Sequence, residues 1–351
     1  MKRTIALLLL SALLAGFLPG IAGCVSRIPA DSLPTVGSGD TVAPPADPPA
    51  DTPVQTPPAD APVQTPPAET EPPSPPFAPP LDCPTDELPV ISVDTEGVAV
   101  DSRDYVDMTL TLWNTADCLQ NVPGSIRLRG NSTMRLDKKP YRIKLDQKHS
   151  LLGLDKAKSW VLLADYLDPS TLHNYAALTL AGTSENFDFV PTPHKVNLYL
   201  NGEYAGVYTL CEQVQEQAGR LDLEFEIKRS TRQLEDFNFL ICMNYNAPEK
   251  PGAEEGVTYF YLSGCERYFE LEYPTLEDFP SRARFDQFMM ALEDYMRETV
   301  DAFLRSNRSY LMEHVDTDTL IDFFIVDQIM GERDHHWKSE VKLVKKHQKL
   351  M

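Results

Sequence analysis

The stretch HKVNLYLNGEYAGVYTLCEQV, His194 to Val214, decides the reading of the fold. Its centre, Asn201-Gly202, is the strongest short turn signal in the chain, because both residues tolerate positive φ and a two-residue hairpin turn requires it. The flanking runs are therefore the two strands of a hairpin.

The residues around this hairpin read as further strands. GSIRLRGNSTMRLDKKPYRIKLD gives two, Ser125 to Arg129 and Tyr141 to Leu145, around a polar loop that contains glycine. Alternation places Tyr141, Ile143 and Leu145 on one face and Arg142 and Lys144 on the other. LPVISVDTEG and DMTLTLWNT alternate in the same way. KSWVLLADYLDPSTLHNYAALTLAGT gives a strand around Trp160 to Ala164 and then a helix. Asp168 is its expected N-cap and Pro169 its first residue, with Leu172, Tyr175, Ala176 and Leu180 at helical spacing.

Strands are expected near Phe237 to Met243, Val257 to Leu262 and Tyr268 to Tyr273. The pattern then turns helical from Ser281, with Phe285, Phe288, Met289, Leu292, Tyr295 and Met296 recurring, and again over Asp318 to Met330. A strand-rich half followed by a helix-rich half predicts an α+β, two-lobed domain over residues 88–351.

The first quarter of the 351 residues does not belong to that domain. Lys2-Arg3, an apolar run from Ile5 to Leu18 and small residues before Cys24 read as an export signal spanning residues 1–23. Ile21-Ala22-Gly23-Cys24 resembles a bacterial lipobox, which implies diacylglycerol on Cys24 and a mature protein anchored at the cell surface. Residues 24–87 are dominated by Pro, Ala, Thr and Asp and carry the tandem repeat ADTPVQTPP, ADAPVQTPP. That composition lacks the apolar side chains to offset ordering, so a polyproline-like stalk is expected, reaching on the order of 150 Å.

A formal net charge of −20 excludes nucleic acid as partner, since a polyphosphate backbone needs a basic surface to release its counterions. Of six cysteines, Cys24 is assigned to lipid. Of the five that remain, Cys83 with Cys118 and Cys242 with Cys265 each close a short loop and are the first pairings to consider in an exported chain. The sequence does not fix connectivity, and an odd count leaves at least one thiol free or paired with another chain. Their spacing matches no zinc site.

Three stretches, IRLRGNST…KKPYRIKL, SWVLLADYLDPSTLHNYAA and VNLYLNGEYAGVYTLCEQV, followed by LIDFFIVDQIMGERDHHWKS, resemble in order and spacing the spore-coat protein H (CotH) kinase family. The resemblance implies an atypical protein-kinase-like fold that transfers phosphate from ATP, with Mg or Mn, to protein hydroxyls outside the cytoplasm. Phosphoryl transfer needs cations on the phosphates and a carboxylate at the attacking hydroxyl. By resemblance, Lys144 or Lys139 contacts phosphate, with the loop around Ser132 as a further contact. Glu212 belongs to the nucleotide pocket. Asp334, with Glu332 as its rival, is the catalytic acid/base. His335 and His336 stand beside it, and no metal ligand is assigned.

Two departures stand against full activity. Lys338-Ser339 occupies the place where many family members carry a metal-binding Asn. The family's later Asp-x-Asp-like metal motif and its following helices do not appear before Met351. An incomplete, inactive kinase domain is therefore expected, with apolar surface uncovered on the last two helices. A non-catalytic surface module, a pseudokinase, adhesin or coat scaffold that binds protein or cell-wall material, is the competing reading.

Overall fold

The computed structural model describes residues 88–223, 237–250, 252–331, 341–346 and 349–351. Seven strands come first: β1 Val90–Asp94, β2 Val106–Trp113, β3 Leu119–Leu128, β4 Tyr141–His149, β5 Ala157–Leu163, β6 His194–Leu200 and β7 Glu203–Glu212. They close into a barrel in the order β1-β2-β3-β4-β5-β7-β6. Every pairing is antiparallel except β1 with β6, which is parallel and seals the barrel. Closure leaves no edge strand to cap.

The barrel is filled because alternate residues point inward. Ile126, Ile143, Trp160 and Leu198 have no exposed surface, and Tyr208 almost none. The hairpin turn forms as expected, with Asn201 at φ 53° and Gly202 at φ 83°.

The helix after β5, α1 (His173–Ala181), starts four residues later than expected. Asp168 is not its N-cap. The Asp168 carboxylate instead accepts the His173 N–H at 2.8 Å and the Ser170 N–H at 2.9 Å, folding residues 168–173 into a turn that delays the helix. Hydrogen bonds from the Ser170 hydroxyl first, and then from the His173 amide, lower the Asp168 carboxyl to about 2.

A second sheet has the order β12-β11-β8-β10-β9, formed by β8 Phe239–Met243, β9 Tyr259–Leu262, β10 Arg267–Tyr273, β11 Val341–Lys346 and β12 Lys349–Leu350. One face packs on α2 (Arg282–Leu304), where Phe239, Ile241, Phe260 and Phe269 meet Phe285, Phe288 and Leu292. Ser281 caps α2 by accepting the Arg284 N–H. Two further helices follow, α3 (Arg308–His314), which was not anticipated, and α4 (Thr317–Met330), capped by Asp316 and ended by Gly331 in the left-handed conformation. The α+β class holds, with one large apolar core inside the barrel and a second between the sheet and α2. There are two smaller clusters, one of Leu221, Leu223, Leu240 and Val344 and one of Ala302, Phe303, Leu311 and Val315.

The expected Cys242–Cys265 disulfide is corrected. Register places Cys242 in the row with Glu270 and Tyr259, on the sheet face away from α2, whereas Cys265 packs among the residues against α2. The Cys265 thiol is free and donates to the Leu262 carbonyl. The Cys83–Cys118 pairing, the lipid site Cys24 and the segments read as signal and stalk lie outside the described residues.

Uncovered apolar surface was expected on the last two helical segments. It is found on both: Met290 is 69% and Leu304 43% exposed on α2, whose other face is well buried, and Ile325 is 46% and Ile329 64% exposed on α4. α4 packs on α1, and Asp322 accepts bonds from Ser184 and Asn186 just beyond α1.

Gly124 on β3 tests the barrel's closeness, because a β-carbon there would stand 2.7 Å from the Lys144 carbonyl oxygen on the neighbouring strand. Gly124→Ala should destabilise the fold by about 1–3 kcal/mol in chemical denaturation, since rigid backbone cannot yield to the added methyl. Unchanged stability would contradict this β3–β4 packing.

Candidate functional site: a cationic barrel face beside a buried ion pair

The site is assembled on the outer surface of β3, β4, β5 and β7. Its organising side chain is Lys138, from the loop between β3 and β4. The ammonium donates to the Ala164 carbonyl at 2.7 Å and the Val207 carbonyl at 2.5 Å, and it lies 4.4 Å from the centre of the Tyr208 ring. The Tyr208 hydroxyl returns a bond to the Lys139 carbonyl at 3.0 Å. Burial, ahead of the opposing pull of Asp165, lowers the Lys138 amine from its usual range.

Gly206 makes this approach possible. Its φ is +105°, and a β-carbon there would sit 3.3 Å from Lys138 Cε. The glycine of the Tyr-Ala-Gly-Val-Tyr motif and the lysine of the Lys-Lys-Pro motif are thus one contact.

Asp165 adjoins this node at the end of β5, with φ 52°. Its carboxylate is 1% exposed and fully engaged. Oδ1 accepts from Asn174 at 2.6 Å, and Oδ2 accepts from Lys195 at 2.9 Å and from the Thr209 hydroxyl at 2.6 Å. Lys195 also donates to Thr209 and to the Thr171 carbonyl. The start of α1 is thereby pinned to β6 and β7. A buried pair of this kind holds geometry because both carboxylate oxygens accept hydrogen bonds and the ammonium donates to three acceptors.

Beside this network runs a row of outward-facing residues set by register: Arg127 on β3, Arg142 on β4, Val161 on β5 and Cys211 on β7. The adjacent row is Ser125, Lys144 and Ser159. Arg220 crosses above it, donating to the Ser159 and Gln213 carbonyls at 2.8 Å each, with its guanidinium 5.4 Å from the Trp160 ring. Burial pushes the Cys211 thiol up to about 12, against the pull of Arg129, so this cysteine is an inert apolar neighbour of the cations.

Arg127 and Arg142 face each other across the strands, and the Nε of each is buried with no hydrogen-bond partner among the described residues. Arg127 also donates from Nη1 to the Leu128 carbonyl at 3.3 Å and lies 5.1 Å from the centre of the Tyr105 ring, but the two desolvated Nε donors between like charges are unfavourable unless an anion joins them. Guanidinium pairs match phosphate oxygens, and Lys144, exposed on the same outer face, adds a third cation. This donor set fits the phosphates of a nucleotide. No cluster of three metal-ligating side chains occurs among the described residues.

The residues predicted from sequence are distributed unevenly around this face. Lys144 lies on it. The Lys139 ammonium turns to the Met134 carbonyl at 3.1 Å, at the base of the loop. Ser132 is exposed at the start of that loop's single helical turn. Glu212, 8% exposed, is paired with Trp160 in the row that faces the barrel interior, and its carboxylate accepts the Thr192 N–H at 2.7 Å. The structure therefore does not bring Glu212 or Lys139 together with Lys144. Asp334, Glu332, His335, His336 and Lys338-Ser339 lie outside the described residues. Sequence reading did not single out Lys138, Asp165, Lys195 or Arg127. The one available signal was Arg127 alternating with Ser125 and Arg129 opposite Arg142.

Comparison with family models matches residues 126–350 to the model described as CotH kinase protein, and the chain belongs to that family. Comparison with individually curated proteins returns no match.

The buried pair makes a double-variant prediction. Lys195→Met leaves the Asp165 carboxylate buried and uncompensated, and should cost about 3–5 kcal/mol in urea unfolding. Adding Asp165→Asn, which keeps a side chain tolerant of positive φ, should restore much of that loss. If the double variant is as unstable as the sum of the single ones, the ion pair is not the stabilising element.

Proposed function

We propose that this protein is an exported kinase-like protein with a two-lobed catalytic domain over residues 88–351, carried by a Pro-rich stalk over residues 24–87 and anchored in a membrane through lipid on Cys24. The domain binds the phosphates of ATP with Arg127, Arg142 and Lys144. The reaction it is built for transfers the terminal phosphoryl group to a serine or threonine hydroxyl of a protein, and Lys338-Ser339 in the place of a metal-binding Asn makes a very low rate the expectation. The acceptor oxygen forms the new bond to phosphorus, the bond to the bridging oxygen breaks, and ADP leaves. Asp334, or Glu332 in its place, takes the hydroxyl proton. Mg or Mn, when bound with ATP, neutralises phosphate charge.

The observation that carries this reading is the pair of buried guanidinium Nε atoms that have no partner among the described residues, in a chain that belongs to the CotH kinase protein family. Elsewhere the chain is strongly acidic, with a net charge of −20, so a cationic cluster on this face serves an anion rather than solubility. Lys139 and Ser132 act as supports of the loop that Lys138 clamps to the barrel, and Glu212 acts by holding Thr192.

The whole chain should be incubated with γ-labelled ATP, Mg or Mn and a generic protein acceptor. Labelling that disappears in Asp334→Ala is expected. Arg142→Gln should weaken ATP binding about 10- to 100-fold by calorimetry, the value of one or two charge-assisted bonds. ATP binding that depends on Arg142, without labelling above Asp334→Ala, would establish the non-catalytic surface module instead. The anchor is tested by metabolic labelling with palmitate, which Cys24→Ser should abolish.

A further inference from the structure

The outer face of the second sheet, opposite α2, carries a tyrosine cluster that the phosphoryl-transfer reading does not use. Tyr261 on β9 stands directly across from Tyr268 on β10, and Tyr259 stands across from Glu270. Tyr268 lies 4.9 Å from Tyr261 and 5.8 Å from Tyr259, ring centre to ring centre. Among the described residues β9 is the last strand of its sheet, and no further strand borders the patch on that side. Tyr261 is 39% exposed.

The polar groups of the patch are arranged around the rings. Glu270 Oε2 is occupied by Lys250 at 2.5 Å and by Asn244 at 3.1 Å, which fixes the carboxylate. Glu270 Oε1 and the hydroxyls of Tyr259, Tyr261 and Tyr268 have no hydrogen-bond partner among the described residues. The surface thus combines rigid aromatic faces, one positioned acceptor and three groups that both donate and accept.

We propose that this face of β9 and β10 binds a neutral chain of β-linked pyranose sugars. The C–H face of a pyranose ring covers an aromatic ring, while its hydroxyls donate to Glu270 and exchange bonds with the phenols. The competing partners fit less well. An apolar protein surface would bury three hydroxyls and a carboxylate without returning their bonds. A polyanion would meet Glu270 in a chain of net charge −20, with Lys250 already committed to that carboxylate. Cross-strand stacking explains the Tyr261–Tyr268 pair and the diagonal Tyr259–Tyr268 contact but not the fixed acceptor beside them.

The proposal is independent of ATP binding and is tested on the whole chain with two soluble probes, the β-1,4-linked hexamer of N-acetylglucosamine and cellohexaose, by isothermal titration. Binding of at least one hexasaccharide is expected. It should weaken at least 10-fold in Tyr261→Ala with Tyr268→Ala, with the thermal melt checked in parallel. Tyr261→Ala alone, at an exposed position, should weaken binding without shifting the melt. The proposal is overturned if neither sugar binds, if the double variant binds undiminished, or if these tyrosines bind a proline-rich peptide and no sugar.

Discussion

One ammonium group ties together three segments that are far apart in the chain. Lys138 reaches from the β3–β4 loop to the carbonyls of Ala164 and Val207 and to the face of Tyr208. A lysine drawn out of water must replace its hydration with fixed acceptors, and the ends of β5 and β7 provide them. The loop is thereby held on the barrel, and Gly206, at φ +105°, supplies the backbone conformation and the close approach of this contact. Next to it, the saturated carboxylate of Asp165 binds β6, β7 and the beginning of α1 into the same corner. The recurring motifs of the sequence are best understood as the parts of this one junction.

The cationic face follows from the strand register that this junction holds. Once the β3–β4 pairing is set, Arg127 must stand opposite Arg142, since inward positions are taken by Ile126, Leu128, Tyr141 and Ile143. Neighbouring like charges are costly in a half-buried row. The fold nevertheless places them there and leaves both Nε atoms unpaired among the described residues. Local expense of this kind is expected at a functional surface rather than at a structural one.

The two cores have different characters. The barrel is filled from alternate strand positions and closed on itself. The second core is a sheet with a single long helix laid across it; its opposite face is covered at β8 and β11, where Leu240 and Val344 pack with Leu221 and Leu223, and carries the tyrosines at its β9 edge. α4 belongs to neither arrangement. It is apolar around its circumference, it buries Thr317, Thr319 and Asp327, and it presents Ile325 and Ile329 to solvent.

The sequence alone determined the period-two strands, the Asn201-Gly202 turn, the two long helices and the α+β class, because these depend on neighbours within a few residues. The family likeness was also legible, since its motifs are contiguous. Local pattern misled where side chains competed for the backbone. Asp168 looked like a helix cap but folded a turn, and Cys242 and Cys265 looked paired but lie on different sides of a sheet. Barrel closure through the parallel β1–β6 pairing, the Lys138 junction, the Asp165–Lys195 pair and the facing arginines were decided only by tertiary structure. Each joins residues distant in the chain, and a residue's spacing from its neighbours does not specify what will lie across from it once strands pair.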